Sequence, residues 1–138
     1  MYLYMIIKNL NLKRDIEIIK LHKKMLDYNL EITDKYIVKV FYDNDICIGY
    51  IIYYVDKNKV TISWIYGPKY GKQIMKKMEI IFKKNNVEEI LLNVSIDPTE
   101  NENNVMRRLN FYIGLQYKVY DIKFRRKFGP LFFMHKKL

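Results

Sequence analysis

Apolar positions along this 138-residue chain change their period several times, and each change marks a predicted element. Short runs that alternate or stay apolar predict β-strands, whereas recurrence about every 3.6 residues predicts amphipathic helices. The helical period predicts three helices, at residues 12–29, 70–84 and 105–113. Apolar runs predict seven strands, at residues 2–7, 37–42, 46–55, 60–66, 88–96, 117–125 and 131–135.

The order β-α-β-β-β-α-β-α-β-β predicts a single α/β domain over residues 1–138, with a mixed, mostly antiparallel sheet and helices on both faces. Polar turn clusters at residues 43–45 and 56–59 make strands two to four an antiparallel meander. Strict alternation along the fourth strand predicts two faces. One carries Val60, Ile62, Trp64 and Tyr66, and the other carries Thr61, Ser63 and Ile65.

Composition excludes several classes of protein. The longest uncharged apolar run, residues 46–55, is about half of what a membrane-spanning helix needs. The first residues lack the basic segment and cleavage site of a signal peptide. Cys47 is the only cysteine, and His22 and His135 are the only histidines, which rules out an internal disulfide and a Cys/His zinc site. We therefore expect a reducing, cytoplasmic location and no membrane partner.

The formal charge of the chain is +10, from 25 Lys and Arg against 15 Asp and Glu. Twenty of the cations are Lys, thirteen residues are Tyr and none is Ala, a bias that indicates an AT-rich genome and explains part of the charge. Residues 1–66 carry ten cations and eight acids, whereas residues 67–138 carry fifteen and seven. The excess in the second half favours an anionic partner.

Two segments carry a family resemblance. Residues 66–78 read Tyr-Gly-Pro-Lys-Tyr-Gly-Lys-Gln-Ile-Met-Lys-Lys-Met, and residues 104–117 read Asn-Val-Met-Arg-Arg-Leu-Asn-Phe-Tyr-Ile-Gly-Leu-Gln-Tyr. With the order of elements, they resemble the GCN5-related N-acetyltransferase (GNAT) superfamily, in which such a loop and helix N-terminus hold the pyrophosphate of acetyl-CoA. The resemblance implies acetyl-CoA as the cofactor. The residues expected to bind it are Ile65, Tyr66, Tyr70, Gly71, Lys72, Gln73, Ile74, Met75 and Asn104.

The resemblance also implies an activity, the transfer of an acetyl group to a primary amine by direct attack in a ternary complex. Tyr112 matches the tyrosine that often protonates the leaving thiolate in this family, which makes it the candidate catalytic residue. The fourth predicted strand carries no carboxylate, so no general base is assigned. The polar residues Ser63, Asn93 and Ser95 either order a water that takes the proton or line a polar cleft.

Three positions depart from the family pattern. Gln73 and Met75 stand where the cofactor loop has glycines, and Gln116 stands for the glycine that follows the last helix. Side chains at positions 73 and 75 are expected to narrow the cradle in which a phosphate approaches the backbone. The alternative function is therefore a catalytically inactive GNAT-fold binding or structural protein.

Other residues of note have both a structural and a functional interpretation. Cys47 is expected to be a small buried hydrophobe and Trp64 a core residue. Basic residues surround the predicted cofactor loop. Because the N-terminus of a helix is the positive end of its dipole, it repels these cations, and a bound anion would relieve the repulsion. These residues are Lys69, Lys72, Lys76 and Lys77.

The partners are less constrained by the sequence. Residues 123–128 mix Phe with Lys and Arg, which fits either the solvated end of a hairpin or a nucleic-acid contact. The amine acceptor is a small molecule or a peptide, and the basic last hairpin disfavours polyamines. Both a monomer and a homodimer fit the chain.

Overall fold

A computed structural model describes residues 5–11, 14–15, 20, 35–96, 99, 101–127 and 129–138. Seven strands and two helices follow one another within these residues. The strands are β1 (Ile6–Asn9), β2 (Ile37–Asp43), β3 (Ile46–Asp56), β4 (Lys59–Tyr66), β5 (Glu89–Ser95), β6 (Lys118–Arg125) and β7 (Gly129–Lys137), and the helices are α1 (Gly71–Lys84) and α2 (Glu102–Gly114). These elements confirm the predictions with ends shifted by a few residues. The helix predicted over residues 12–29 lies largely outside the described residues.

The seven strands form one sheet in the order β1-β2-β3-β4-β5-β7-β6. All neighbouring pairs are antiparallel except β4 and β5, which run parallel and are joined through α1. A parallel neighbour requires such a crossover, whereas the meander needs only tight turns. The predicted mixed, mostly antiparallel α/β fold is confirmed.

The described helices both pack on one face of the sheet. The apolar side of α1, with Ile74, Met75, Met78 and Phe82, lies in the larger of two hydrophobic clusters. The side chains of Leu109, Phe111 and Tyr112 in α2 pack against the same cluster. The smaller cluster lies on the opposite face of β2, β3 and β4, because successive side chains of a strand point to opposite sides.

A bulge in β4 corrects the predicted faces of this strand. Ile52 pairs with Trp64 and Tyr53 with Ile62, so Ser63 is an extra residue in the ladder. Beyond it the alternation is reversed. Ile62 lies in the larger cluster and Ile65 packs against it, whereas Trp64 packs against the smaller one. The single face predicted for Ile62 and Trp64 is therefore wrong.

Each of the two described helices is followed by a residue with a left-handed backbone. These residues are Asn86 after α1, with φ of 65°, and Gln116 after α2, with φ of 71°. The N–H of Tyr117 donates to the carbonyl of Tyr112 over 3.0 Å, which closes α2 with a motif that favours glycine at the left-handed position. Gln116 thus adopts a left-handed backbone conformation that glycine adopts more easily than other residues.

Candidate active site

The strands β4 and β5 separate at their carboxyl ends, and this opening positions the candidate site. Their parallel ladder ends at Ile62 and Leu92. Beyond the bulge at Ser63, β4 stays paired with β3 as far as Tyr66, while β5 stays paired with β7 as far as Ser95. The two strands diverge because β4 follows β3 and β5 follows β7. Helix α1 begins beside the gap between them.

The end of β4 lies unusually close to β3 and α1. A Cβ atom at Gly49 would lie 2.2 Å from the backbone oxygen of Tyr66 and 2.7 Å from Cδ1 of Ile74. A side chain is excluded at this distance, so glycine is what lets β3, β4 and α1 converge at one point.

A cavity of about 270 Å³ lies between the end of β4, the start of α1 and one side of α2. A Cβ atom at Gly71, the first residue of α1, would lie 3.3 Å from the ring of Phe111. A Cβ at Gly67 would lie 2.8 Å from Cδ1 of Ile74, so the missing side chains let Ile74 and Phe111 pack against the backbone at the start of α1. The lining residues are Ile65, Gly67, Gly71, Arg107, Arg108, Phe111 and Tyr112.

Tyr112 brings a phenol to this cavity. Burial raises the pKa of Tyr112 to about 12, and the positive charge of Arg108 offsets this only in part. Its ring lies edge-on to Phe111 and to Tyr117, at centroid distances of 5.0 and 5.9 Å, which fixes its orientation. At neutral pH the phenol is protonated, so Tyr112 is chemically a proton donor.

Two arginines that the sequence argument did not single out line the same cavity. Arg108 donates from Nη2 to the backbone oxygen of Ser95 over 2.8 Å, which ties α2 to the end of β5. Arg107 lies beside it in the lining. The signal was present in the sequence, because positions 107 and 108 lie about one helical turn before Phe111 and Tyr112.

The polar residues considered for ordering a water lie near the opening without forming an obvious base. Ser63 and Asn93 are exposed. The hydroxyl of Ser95 accepts a hydrogen bond from Nη2 of Arg125 over 2.6 Å. The role of all three in proton transfer stays a prediction.

The other residues expected to bind the cofactor fall into three groups. Tyr66 and Tyr70 line a second cavity of about 330 Å³, which also contains Cys47 and Lys69. Ile74 and Met75 are fully buried in the core, and Lys72, Gln73 and Asn104 are exposed. The side chains of Gln73 and Met75 therefore lie outside the lining of the first cavity, where narrowing was expected.

The expectation of a buried Cys47 is wrong. The side chain is exposed, beside the bulge at which Phe41 pairs with Gly49 and Tyr42 with Cys47. The thiol lies 3.7 Å from the backbone oxygen of Gly49, and its partial burial raises the pKa of Cys47. A raised pKa lowers the thiolate fraction and with it the reactivity at neutral pH. Trp64 is half-buried against the smaller cluster.

A buried carboxylate lies on the other side of the sheet. Asp15 is 2% exposed and accepts hydrogen bonds from Nη2 of Arg14 over 2.8 Å and from the hydroxyl of Tyr42 in β2. Burial raises the pKa of Asp15, but the bonds from Arg14 and Tyr42 outweigh it and hold the pKa below its usual range. This cluster ties the segment after β1 to the sheet.

A search for matching family models finds none. One sequence relative is an uncharacterized N-acetyltransferase of Acanthamoeba polyphaga mimivirus, 33% identical over 97 residues, which is 69% of this chain. The chain spans only 23% of that viral protein.

Solved structures share the fold over nearly the whole chain. An acetyltransferase of Bacillus subtilis in complex with CoA has a TM-score of 0.72 at 12% identity, covering 99% of both chains. The aminoglycoside 6'-N-acetyltransferase of Enterococcus faecium has a TM-score of 0.68 at 13% identity, covering 96% of both. A ribosomal-protein-alanine N-acetyltransferase of Brucella melitensis has a TM-score of 0.69 at 13% identity, covering 96% of this chain and 99% of its own.

The fold is that of the GNAT acetyltransferases. The chain belongs to the GNAT superfamily, as the shared fold and the viral relative show and as the sequence indicated.

Two further observations concern only the described part of the chain. None of its helices is long and apolar enough to cross a membrane. Its histidine, cysteine and acidic side chains form no group of three that could hold a metal ion.

Proposed function

We propose that this protein is an N-acetyltransferase that uses acetyl-CoA and transfers the acetyl group to a primary amine by direct attack in a ternary complex. The observation that carries this proposal is the cavity at the start of α1, which Gly67, Gly71 and the protonated phenol of Tyr112 line together. The likeness in fold to acetyltransferases, one of them in complex with CoA, supports the same reaction class.

The residues at the cavity fit the acyl carrier. Gly67 and Gly71 line the cavity beside the start of α1, and the first N–H groups of a helix attract phosphate. The diverging end of β4 offers unpaired backbone groups near Ile65 and Tyr66 to an extended arm. Lys72, Gln73 and Asn104 lie on exposed surface near these helix starts and stay candidate contacts.

Bound acetyl-CoA supplies the activated acetyl thioester. Tyr112 holds a proton on Oη at neutral pH, and we propose that it delivers this proton to the departing sulfur. Backbone N–H groups near Tyr66 would polarise the carbonyl that is attacked. The amine must be neutral to attack, and its proton leaves through water in the open gap between β4 and β5.

The alternative, an inactive GNAT-fold binding protein, rested on Gln73, Met75 and Gln116. The Met75 side chain packs in the core and the Gln73 side chain lies in solvent, so neither fills the cavity. Gln116 closes α2 away from the cavity lining. The positions of these three side chains therefore give less support to an inactive protein than the residue types alone did.

The acceptor class is proposed more broadly, as a small-molecule or peptide amine. The neighbouring structures include acetyltransferases named for an aminoglycoside and for a ribosomal protein. A nucleic-acid partner is not favoured by the site. A cytoplasmic location and a monomeric or homodimeric state complete the proposal.

Ligand-dependent thermal stability tests the first half of the proposal. Acetyl-CoA or CoA at 100 times its dissociation constant should stabilise the fold by roughly 2.7 kcal/mol and raise Tm by several degrees. Gly71→Ala should reduce this rise, because its Cβ would press on the Phe111 ring in the cavity lining. Gly114→Ala is the matched control, because a Cβ at Gly114 meets nothing within 4 Å. No shift at millimolar CoA would exclude the proposal.

Release of free thiol from acetyl-CoA tests the second half. The assay uses the Cys47→Ser variant, because the exposed thiol of Cys47 would react with a thiol reagent. A panel of peptide N-termini, lysine side chains and aminoglycosides supplies the amines. Binding of CoA without amine-dependent thiol release across this panel would favour the inactive alternative.

A further inference from the structure

Arg107 lies on the side of α2 that faces the first turn of α1. It lies one helical turn before Phe111, and residues four apart share a helix face. The ring of Phe111 is the group that a Cβ at Gly71 would approach to 3.3 Å. The turn of α2 that carries Arg107 thus lies alongside the first turn of α1, and the side chain of Arg107 lines the cavity between the two helices.

Basic residues lie in the cavity lining and at the first turn of α1. The first turn of α1 contains no acidic residue, and its N-cap residue Tyr70 makes no side-chain hydrogen bond to it. Lys69 and Lys72 flank the same turn, where a cation opposes the helix dipole. None of the described residues that line the cavity is acidic. Among the described residues, the cavity lining and the first turn of α1 thus contain cations and no acid.

The two arginines of the cavity are differently engaged. Arg108 is half-buried and donates to the backbone oxygen of Ser95, so its role in holding α2 against β5 is accounted for. Arg107 is exposed, and within the described part of the chain no hydrogen bond or ion pair engages its guanidinium. It can therefore turn toward a ligand without breaking an existing contact.

We infer that Arg107 binds the diphosphate of the acyl carrier from the α2 side, opposite the N–H groups of α1. A guanidinium presents a planar fork of donors that matches two phosphate oxygens, which a Lys ammonium cannot do. This contact adds side-chain charge at the start of a helix that carries Gln73 and Met75 where the family pattern has glycines. The inference rests on the proposed use of acetyl-CoA.

Isothermal titration with three probes tests the inference by affinity alone. CoA carries the diphosphate and a 3′-phosphate, dephospho-CoA carries only the diphosphate, and pantetheine carries neither. Arg107→Ala should raise the Kd of CoA and of dephospho-CoA by about tenfold and leave that of pantetheine unchanged. Arg107→Lys, which keeps the charge but loses the fork, should raise both by about threefold.

Arg126→Ala is the matched control, because Arg126 is an exposed arginine in the β6–β7 turn, outside the cavity lining. It removes the same unit of net charge and should leave all three Kd values unchanged. Equal losses for Arg107→Ala and Arg126→Ala would overturn the inference in favour of a general charge effect. An effect on CoA that disappears with dephospho-CoA would overturn it as well, because the 3′-phosphate would then be the partner.

The failure of the inference is distinguishable from that of the proposed function. If the wild-type protein binds CoA and Arg107→Ala binds it equally well, only the inference is wrong. If the wild-type protein binds none of the three probes, the proposed function itself is wrong.

Discussion

The phenol of Tyr112 and the side chains of Arg107 and Arg108 line one small cavity. Their different charges at neutral pH give them different chemical roles. Tyr112 keeps its proton because burial raises its pKa to about 12. Arginine side chains stay cationic over the whole accessible pH range. The cavity therefore offers one group that can give a proton and two that can only hold an anion.

Replacing Tyr112 by Phe removes the phenol and keeps the ring that packs against Phe111 and Tyr117. We expect acetyl transfer to slow about 100-fold, which is typical for loss of a general acid, while the Kd of CoA stays within about twofold. Stopped-flow or thiol-release kinetics and titration measure the two quantities. Tyr120→Phe, at an exposed position in β6, is the control. Unaltered turnover would remove Tyr112 from the mechanism.

At the level of the elements, the site depends on where strands stop pairing. The parallel ladder of β4 with β5 covers only four residue pairs, and the bulge at Ser63 follows directly. The bulge turns Ile65 toward the α1 side of the sheet, where it lines the cavity. With strict alternation Ile65 would lie on the other face.

Hydrophobic periods predicted the seven strands, α1 and α2, because burial on one face repeats along each element. They did not predict the bulges, since one extra residue such as Ser63 changes the faces without changing the residue types. Gly71 and Tyr112 were accessible through motif resemblance. The position of Arg107 one helical turn before Phe111 was visible in the sequence, but its place beside the start of α1 comes from the packing of α2, which no local pattern records.

Gly49 is the position at which this arrangement is most sensitive to a single methyl group. Gly49→Ala places a Cβ 2.2 Å from the backbone oxygen of Tyr66, and a backbone atom cannot rotate away. We expect a loss of about 2–4 kcal/mol in the free energy of unfolding, measured by urea denaturation. Gly114→Ala, with open space around it at the end of α2, should instead gain up to about 1 kcal/mol. Equal stability of Gly49→Ala and wild type would contradict the close approach.

At the scale of the whole molecule, charge and stability are linked through the carboxylates. Asp15 ties the segment after β1 to β2, and Glu89 in β5 pairs with His135 and Lys59. The hydrogen bond from His135 lowers the pKa of Glu89, as those from Arg14 and Tyr42 lower that of Asp15. Protonating all fifteen acidic side chains would leave 25 Lys and Arg charges unbalanced.

These shifts predict how acid destabilises the fold. A carboxylate whose pKa is lower in the folded than in the unfolded state contributes stability above its unfolded pKa, near 4, and loses it as the pH falls through its folded pKa. We therefore expect the free energy of unfolding to be constant from about pH 7 to pH 5 and to fall steeply below about pH 4. Urea denaturation at each pH measures this curve.

Asp15→Asn separates the contribution of Asp15 from the general rise in positive charge. At pH 7 the variant should be less stable than wild type, because the amide accepts weaker hydrogen bonds from Arg14 and Tyr42 than an ionised carboxylate does. As the pH falls through the lowered pKa of Asp15 the difference should shrink, since wild-type Asp15 becomes protonated and loses the same advantage. If Asp15→Asn does not fold, Tyr42→Phe can replace it, because it removes one of the two donors to Asp15. The pH dependence of its free energy of unfolding should be weaker than that of wild type, but less so than for a variant without the carboxylate. Parallel curves for the variants and wild type would show that Asp15 titrates alike in the folded and unfolded chain, and that charge repulsion alone governs acid unfolding.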